Sequence, residues 1–116
     1  MEISYKKLIV WQKADDLAML VYLKTKPFPY EERFGMTSQI RRSALSIPTN
    51  IVEGFGRQGR KEFKNFLNIA LGSLAETEYL IDFSYRLGLL SSSDHKELQN
   101  LRHEVGCLLW KFYKKL

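Results

Sequence analysis

Apolar residues recur along this chain at helical spacing in four blocks separated by short breaks. In the stretch from Arg33 to Arg57, Ile40, Ala44, Ile47 and Ile51 follow one another at steps of four, three and four, which aligns them as one stripe of a 3.6-residue helix. The first block carries Val10, Ala14, Leu17 and Val21 in the same way, with Trp11 and Ala18 beside them. The third carries Phe63, Leu67, Ala70, Leu74, Ile81 and Tyr85, and the fourth Leu98, Leu101, Val105, Leu108 and Phe112 at coiled-coil-like spacing. These stripes predict helices over about 8–26, 37–54, 60–87 and 92–115.

The breaks are chemically specific. Pro27 and Pro29 bias the residues before them away from helical geometry and end the first helix. Thr37 or Ser38 is the candidate N-cap of the second, because a hydroxyl there can accept one of the unpaired backbone donors of the first turn. Pro48 stands inside that helix, where it removes a donor and crowds the carbonyl four residues earlier, which predicts a bend. Gly54, Gly56 and Gly59 punctuate the next loop, Gly88 ends the third helix, and Ser91 with Asp94 has capping-box spacing at the start of the fourth. The expected fold is all-α, one domain over 1–116, with antiparallel neighbours around a common centre. A three-helix core with a docked fourth helix, or a hairpin completed in a dimer, would bury the same stripes.

Several large apolar residues fall off these stripes. Leu45 and Val52 lie on a flank of the second helix, about 120° from its stripe. Tyr79 and Phe83 point nearly opposite Phe63 and Ile81, and Trp110 lies far from the line of Leu101 and Val105. Apolar residues on the outer faces of several helices in one small domain mark a partner surface. Leu45, Val52, Tyr79, Phe83 and Trp110 are therefore the candidate oligomer interface, and Gly72 and Ala75 would let a neighbouring backbone come close.

The segment ERFGMTSQIRRSALSIPTNIVEGFGR, preceded by VWQKA and followed by KEFKNFLNIALGSLAETEYL and the LGLLS turn, resembles the bacterial 23S rRNA-intervening sequence protein family over nearly the whole chain. The resemblance implies a small up-down-up-down four-helix bundle that assembles as a ring, commonly a pentamer. It also implies kinship with the accessory protein of diversity-generating retroelements, a basic pentamer that binds nucleic acid and a reverse transcriptase. Lys7 and Gly59 depart from the polar capping residues expected at those positions, which bears on the helix starts.

Composition narrows the class. With 116 residues, 45% hydrophobic and 27% charged, the chain suits a globular domain rather than a disordered or membrane one. Its N-terminal apolar run is too short for a signal peptide, and one cysteine, Cys107, allows no internal disulfide, so a cytoplasmic location is expected. The formal net charge is +5, and the segment Arg41–Lys64 holds six basic residues against two acidic ones, a local excess of four. Arg42, Arg57, Arg60, Lys61 and Lys64 are the candidate nucleic-acid contacts, expected to form a band at one end of the bundle. The bland alternative pairs Arg41 or Arg42 with carboxylates such as Glu53 or Glu76 and assigns Lys111, Lys114 and Lys115 to the negative end of a helix dipole.

Nothing points to catalysis. No phosphate-binding glycine loop, nucleophile elbow or HExxH motif occurs, and His95 and His103 lack the spacing of metal ligands. No catalytic residue, metal, cofactor, small-molecule substrate or membrane is expected. The expected function is that of a non-catalytic, oligomeric, RNA- or DNA-associated accessory protein, with an interaction scaffold for an acidic protein as the alternative.

Overall fold

A computed structural model describes residues 4–116. Four helices make up most of it: α1 (Ile9–Lys24), α2 (Met36–Gly56), α3 (Arg60–Arg86) and α4 (Ser92–Lys115), with single 3-10 turns at Tyr5–Lys7 and Tyr30–Glu32. Each helix packs on its two neighbours, α1 on α2 and α4, and α3 on α2 and α4, while the diagonal pairs do not meet. The result is a closed, antiparallel four-helix bundle of 46 × 24 × 23 Å, with no strand among the described residues.

The core is the one the stripes predict for α1 and α2. Leu17, Val21, Ile40, Ala44, Ile47 and Ile51 are fully enclosed, as are Leu67, Ala70, Ile81, Leu98 and Val105 of the other two helices. The other two helices differ in part. On α4, Leu109 is fully buried while Leu101 and Leu108 are only half-buried. On a straight helix Val105 and Leu109 lie within about 20° of Leu98, whereas Leu101 and Leu108 lie about 60° and 80° away, so the inward line runs through Leu98, Val105 and Leu109. On α3, Tyr85 is 41% exposed and stacks on His95 of α4, with ring centroids 4.4 Å apart, while Leu80 takes the inward place.

The α2–α3 contact is the most extensive and is built from small residues. Ser46 and Ser73 hydroxyls meet at 2.8 Å, and the Thr77 hydroxyl donates to that of Ser43 at 3.0 Å. Pro48 is buried and α2 runs through it without interruption. Around it the Thr49 hydroxyl and the Asn50 amide donate to the carbonyls of Leu45 and Ser46, at 2.7 and 2.8 Å.

The helix ends show where side chains beyond the immediate sequence intervene. The second helix starts at Met36, before Thr37 and Ser38; the Glu32 carboxylate, from the preceding 3-10 turn, accepts the Met36 N–H at 3.0 Å. The first helix stops at Lys24, and just past its end the Thr25 hydroxyl donates to the Val21 carbonyl at 2.8 Å and accepts from Arg41 at 2.9 Å. The Ser91 hydroxyl caps α4 as expected, accepting the Asp94 N–H at 3.0 Å. At the end of α3, Gly88 has φ +79° and its N–H reaches the Tyr85 carbonyl, while the Leu89 N–H reaches that of Ser84, both at 2.9 Å. This Schellman closure needs a left-handed residue. Gly88→Ala is expected to lower stability by about 1 kcal/mol, measurable by chemical denaturation.

Between α3 and α4 runs a polar ladder. His95 Nε2 lies 2.7 Å from Asp82 Oδ1, the Gln99 amide donates to the same oxygen, and Arg102 pairs with Glu78. The His95 hydrogen bond, aided by Gln99 and opposed by partial burial, holds the Asp82 carboxyl below its ordinary value. A lowered carboxyl contributes stability above its unfolded value, near pH 4, and loses it as pH falls through the lowered one. Asp82→Asn should therefore make stability fall less steeply below about pH 4, read by acid titration of thermal unfolding.

Candidate nucleic-acid interface

Antiparallel order brings the starts of α1 and α3 and the ends of α2 and α4 to the same end of the bundle. Each of these segments is basic. Lys6 and Lys7 lie in the turn before α1, Arg57 follows α2, Arg60, Lys61 and Lys64 open α3, and Lys111, Lys114 and Lys115 close α4. Glu53 and Glu62 are the nearby acidic residues among those described. Of these cations, only Arg57 joins an ion pair among the described residues, with Glu53 at 3.1 Å. At the far end charges cancel: Lys24 reaches Asp94 and Glu97 at 2.9 and 3.0 Å, which raises the Lys24 ammonium above its ordinary value, and Asp82 meets His95. The net positive charge of the chain is thus expressed at one end.

Of the five candidate contacts, the fold brings four together. Arg57, besides its bond to Glu53, lies over the Phe66 ring at 5.1 Å, and Lys64 lies over Tyr113 at 4.8 Å. Arg60 and Lys61 are exposed and make no ion pair or hydrogen bond among the described residues. They occupy the first turn of α3, whose start has no side-chain cap. Two cations there oppose the helix dipole, and the unpaired amides of that turn face the same way, so an anion would satisfy both. Arg42 is the exception. It precedes the end of α2 by four turns, about 20 Å, and lines a polar groove with Gln39, Ser43, Ser46, Ser73 and Glu76. It does not belong to the band at this end. Its neighbour Arg41 is occupied by Thr25 and the Tyr22 carbonyl, at 2.9 and 3.3 Å.

Lys6 and Lys7 are not among the candidate contacts, and sequence pattern assigns Lys111, Lys114 and Lys115 to the dipole of their own helix rather than to this band. Lys7, Lys111 and Lys115 rim a groove of about 320 Å³ between the start of α1 and the last turns of α4, floored by Leu8, Ile9, Val10, Leu108 and Phe112. Counting charge by bundle end rather than by segment would have found them, since short connections already fix the antiparallel order.

The off-stripe apolar residues occupy three places rather than one. By helical position Leu45 and Val52 lie on the α1 side of the outer face of α2, and Leu45 is 46% exposed. Tyr79, 55% exposed, and the half-buried Phe83 lie on the outer face of α3, with ring centroids 5.9 Å apart. Ile69 and Gly72 share that face. Trp110 is on α4 close to the basic end, since Phe112 packs on Phe63 with centroids 5.5 Å apart. That puts it roughly 20 Å along the bundle from Tyr79.

His103 Nε2 is 3.7 Å from the exposed Cys107 thiol. No group of three or more His, Cys, Asp or Glu residues that could hold a metal occurs among the described residues. No helix there is long and apolar enough to cross a membrane.

The comparisons with known proteins agree with this architecture. A family model described as 23S rRNA-intervening sequence protein matches residues 6–111. Among solved structures, a protein of unknown function from the S23 ribosomal protein family of Bacteroides thetaiotaomicron is 33% identical, with a TM-score of 0.82 over 91% of this chain and 99% of that one. No curated protein matches the chain.

Proposed function

The chain belongs to the 23S rRNA-intervening sequence protein family, and we propose that it works without catalysis, as a self-associating bundle that holds RNA or DNA on its basic end. The observation that carries this reading is the convergence of cations from all four helices on one end, where only Arg57 has an acidic partner among the described residues. Cations in such excess over the nearby carboxylates, while Lys24 at the other end is held by Asp94 and Glu97, are suited to a polyanion, which gains affinity by releasing its counterions. A gel-shift panel of single-stranded RNA, structured RNA and duplex DNA tests it. Salt-sensitive retardation is expected, and no shift with any of the three at low salt refutes it.

Self-association is the second half of the proposal. Leu45 and Val52 on one face and Tyr79 and Phe83 on another suit a head-to-tail contact, in which one face of each copy meets the other face of the next and the series closes into a ring. Five copies is the number the family resemblance implies. A ring repeats the basic end once per subunit, and engaging one strand at several subunits raises avidity without any base being read. Light scattering should find a species several times the 13.6 kDa of one chain. Leu45→Lys and Tyr79→Lys should each dissociate it, because each spoils one of the two faces. Mixed one to one, they should form a dimer, since each retains the face the other lacks. A monomeric wild type contradicts self-association, and mutants that do not complement contradict the head-to-tail arrangement.

A further inference from the structure

We propose that Trp110 is a stacking platform for an unpaired nucleobase, so that the basic end takes single-stranded nucleic acid by its bases as well as its phosphates. The inference rests on the nucleic-acid reading of that end. Its basis is a juxtaposition within one turn of α4. The Trp110 ring remains 49% exposed and lies nearly parallel to that of Tyr113, at 12° with centroids 5.6 Å apart. Tyr113 is half-buried and packs against the core, so it fixes the plane of the outer ring. Cations attend both rings: Lys114 Nζ is 5.6 Å from the Trp110 centroid, and Lys64 Nζ is 4.8 Å from that of Tyr113.

An apolar subunit contact would have to bury those two ammonium groups, at a large desolvation cost. A polynucleotide strand matches both features, placing a base against the ring and phosphates against the lysines. Lys114 is held over the indole only by a weak, exposed cation–π contact, so an incoming base can displace it and free its ammonium for a phosphate. Groups that provide a π-face and a cation side by side are the usual means of holding single strands without reading sequence. In a duplex the bases are stacked on one another, and the platform has nothing to receive.

The test compares oligouridylate and oligodeoxyuridylate with an abasic deoxyribose-phosphate strand of the same length. Wild type should prefer the two base-bearing strands by about five- to a hundredfold, the span a single base–aromatic stack supplies. Trp110→Ala should abolish that preference while leaving the abasic and duplex affinities and their salt slopes as in wild type, and Trp110→Phe should retain part of it. Circular dichroism and light scattering check fold and assembly. Equal wild-type affinity for abasic and base-bearing strands, or an intact preference in Trp110→Ala, overturns the platform while leaving the phosphate-binding reading standing. Loss of the oligomer in Trp110→Ala assigns the ring to a subunit contact and also overturns the platform. Wild type that binds none of the strands overturns the platform and the nucleic-acid reading together.

Discussion

Replacing Arg60, Lys61, Lys111 and Lys114 together by glutamine should weaken binding to a single-stranded oligonucleotide by on the order of several hundredfold at about 0.1 M salt. Each phosphate contact on a single strand contributes roughly 0.7 to the slope of log affinity against log salt, so four lost contacts flatten it by nearly three. Extrapolated from about 1 M, where the electrostatic contribution is spent, that slope gives the stated loss at a tenth of the concentration. All four residues are exposed and make no ion pair among the described residues, so the fold should survive. Arg60 and Lys61 oppose the dipole of α3 while Lys111 and Lys114 favour that of α4, and their removal should leave stability nearly unchanged. Arg57 is left out because Glu53 already engages it. Arg42→Gln is the contrast: about 20 Å along α2 from this end, it should leave the affinity as it was. Isotherms over a salt series check both variants, and an unchanged slope in the fourfold variant would remove the basic end from consideration.

Gly54→Ala should be the most damaging small substitution in the bundle. A Cβ there would stand 2.8 Å from the Phe66 Cβ, 2.9 Å from Phe63 Cδ1 and 3.2 Å from the Phe63 carbonyl. The Phe63 ring could turn, but the Phe66 Cβ and the Phe63 carbonyl move only with α3 itself. The two helices would therefore have to separate, loosening the Ser46–Ser73 and Ser43–Thr77 contacts as well. Alanine gains about 1 kcal/mol of helix propensity over glycine, whereas overpacking costs typically 1–3 kcal/mol and here also disturbs two hydroxyl pairs. A net loss of about 2 kcal/mol is expected, which for a domain of this size lowers the melting temperature by roughly 8 °C. Gly72→Ala, which meets nothing within 4 Å, should not destabilise the isolated bundle. Thermal melts of the two proteins separate close packing from propensity, and a Gly54→Ala protein as stable as wild type would contradict the close approach.

The sequence was legible where one local rule decides the outcome. The stripes of α1 and α2 follow the 3.6-residue period and all their members are buried. The hydroxyl of Ser91 caps its own helix, as its spacing to Asp94 indicates. Where partners come from elsewhere, local pattern was insufficient. The carboxylate that starts α2 belongs to Glu32 in a preceding turn, and Leu109 replaces Leu108 because on a straight helix it lies about 20° from Leu98 where Leu108 lies about 80° away. The candidate site divides in the same way. Arg57 to Lys64 is a continuous run and stays together, while Arg42, nearby in sequence, is carried away by helical rise. Lys7 and Lys111 stand at opposite ends of the chain and line one groove because α1 and α4 are neighbours.

The most direct test of the nucleic-acid interface is lysine acetylation of the wild-type protein, read residue by residue by mass spectrometry, with and without saturating single-stranded RNA at low salt. Protection should concentrate at Lys61, Lys64, Lys111, Lys114 and Lys115, while Lys26 and Lys96, exposed at the far end, react as before. Protection of Lys26 and Lys96 with the basic-end lysines left reactive would contradict the assignment.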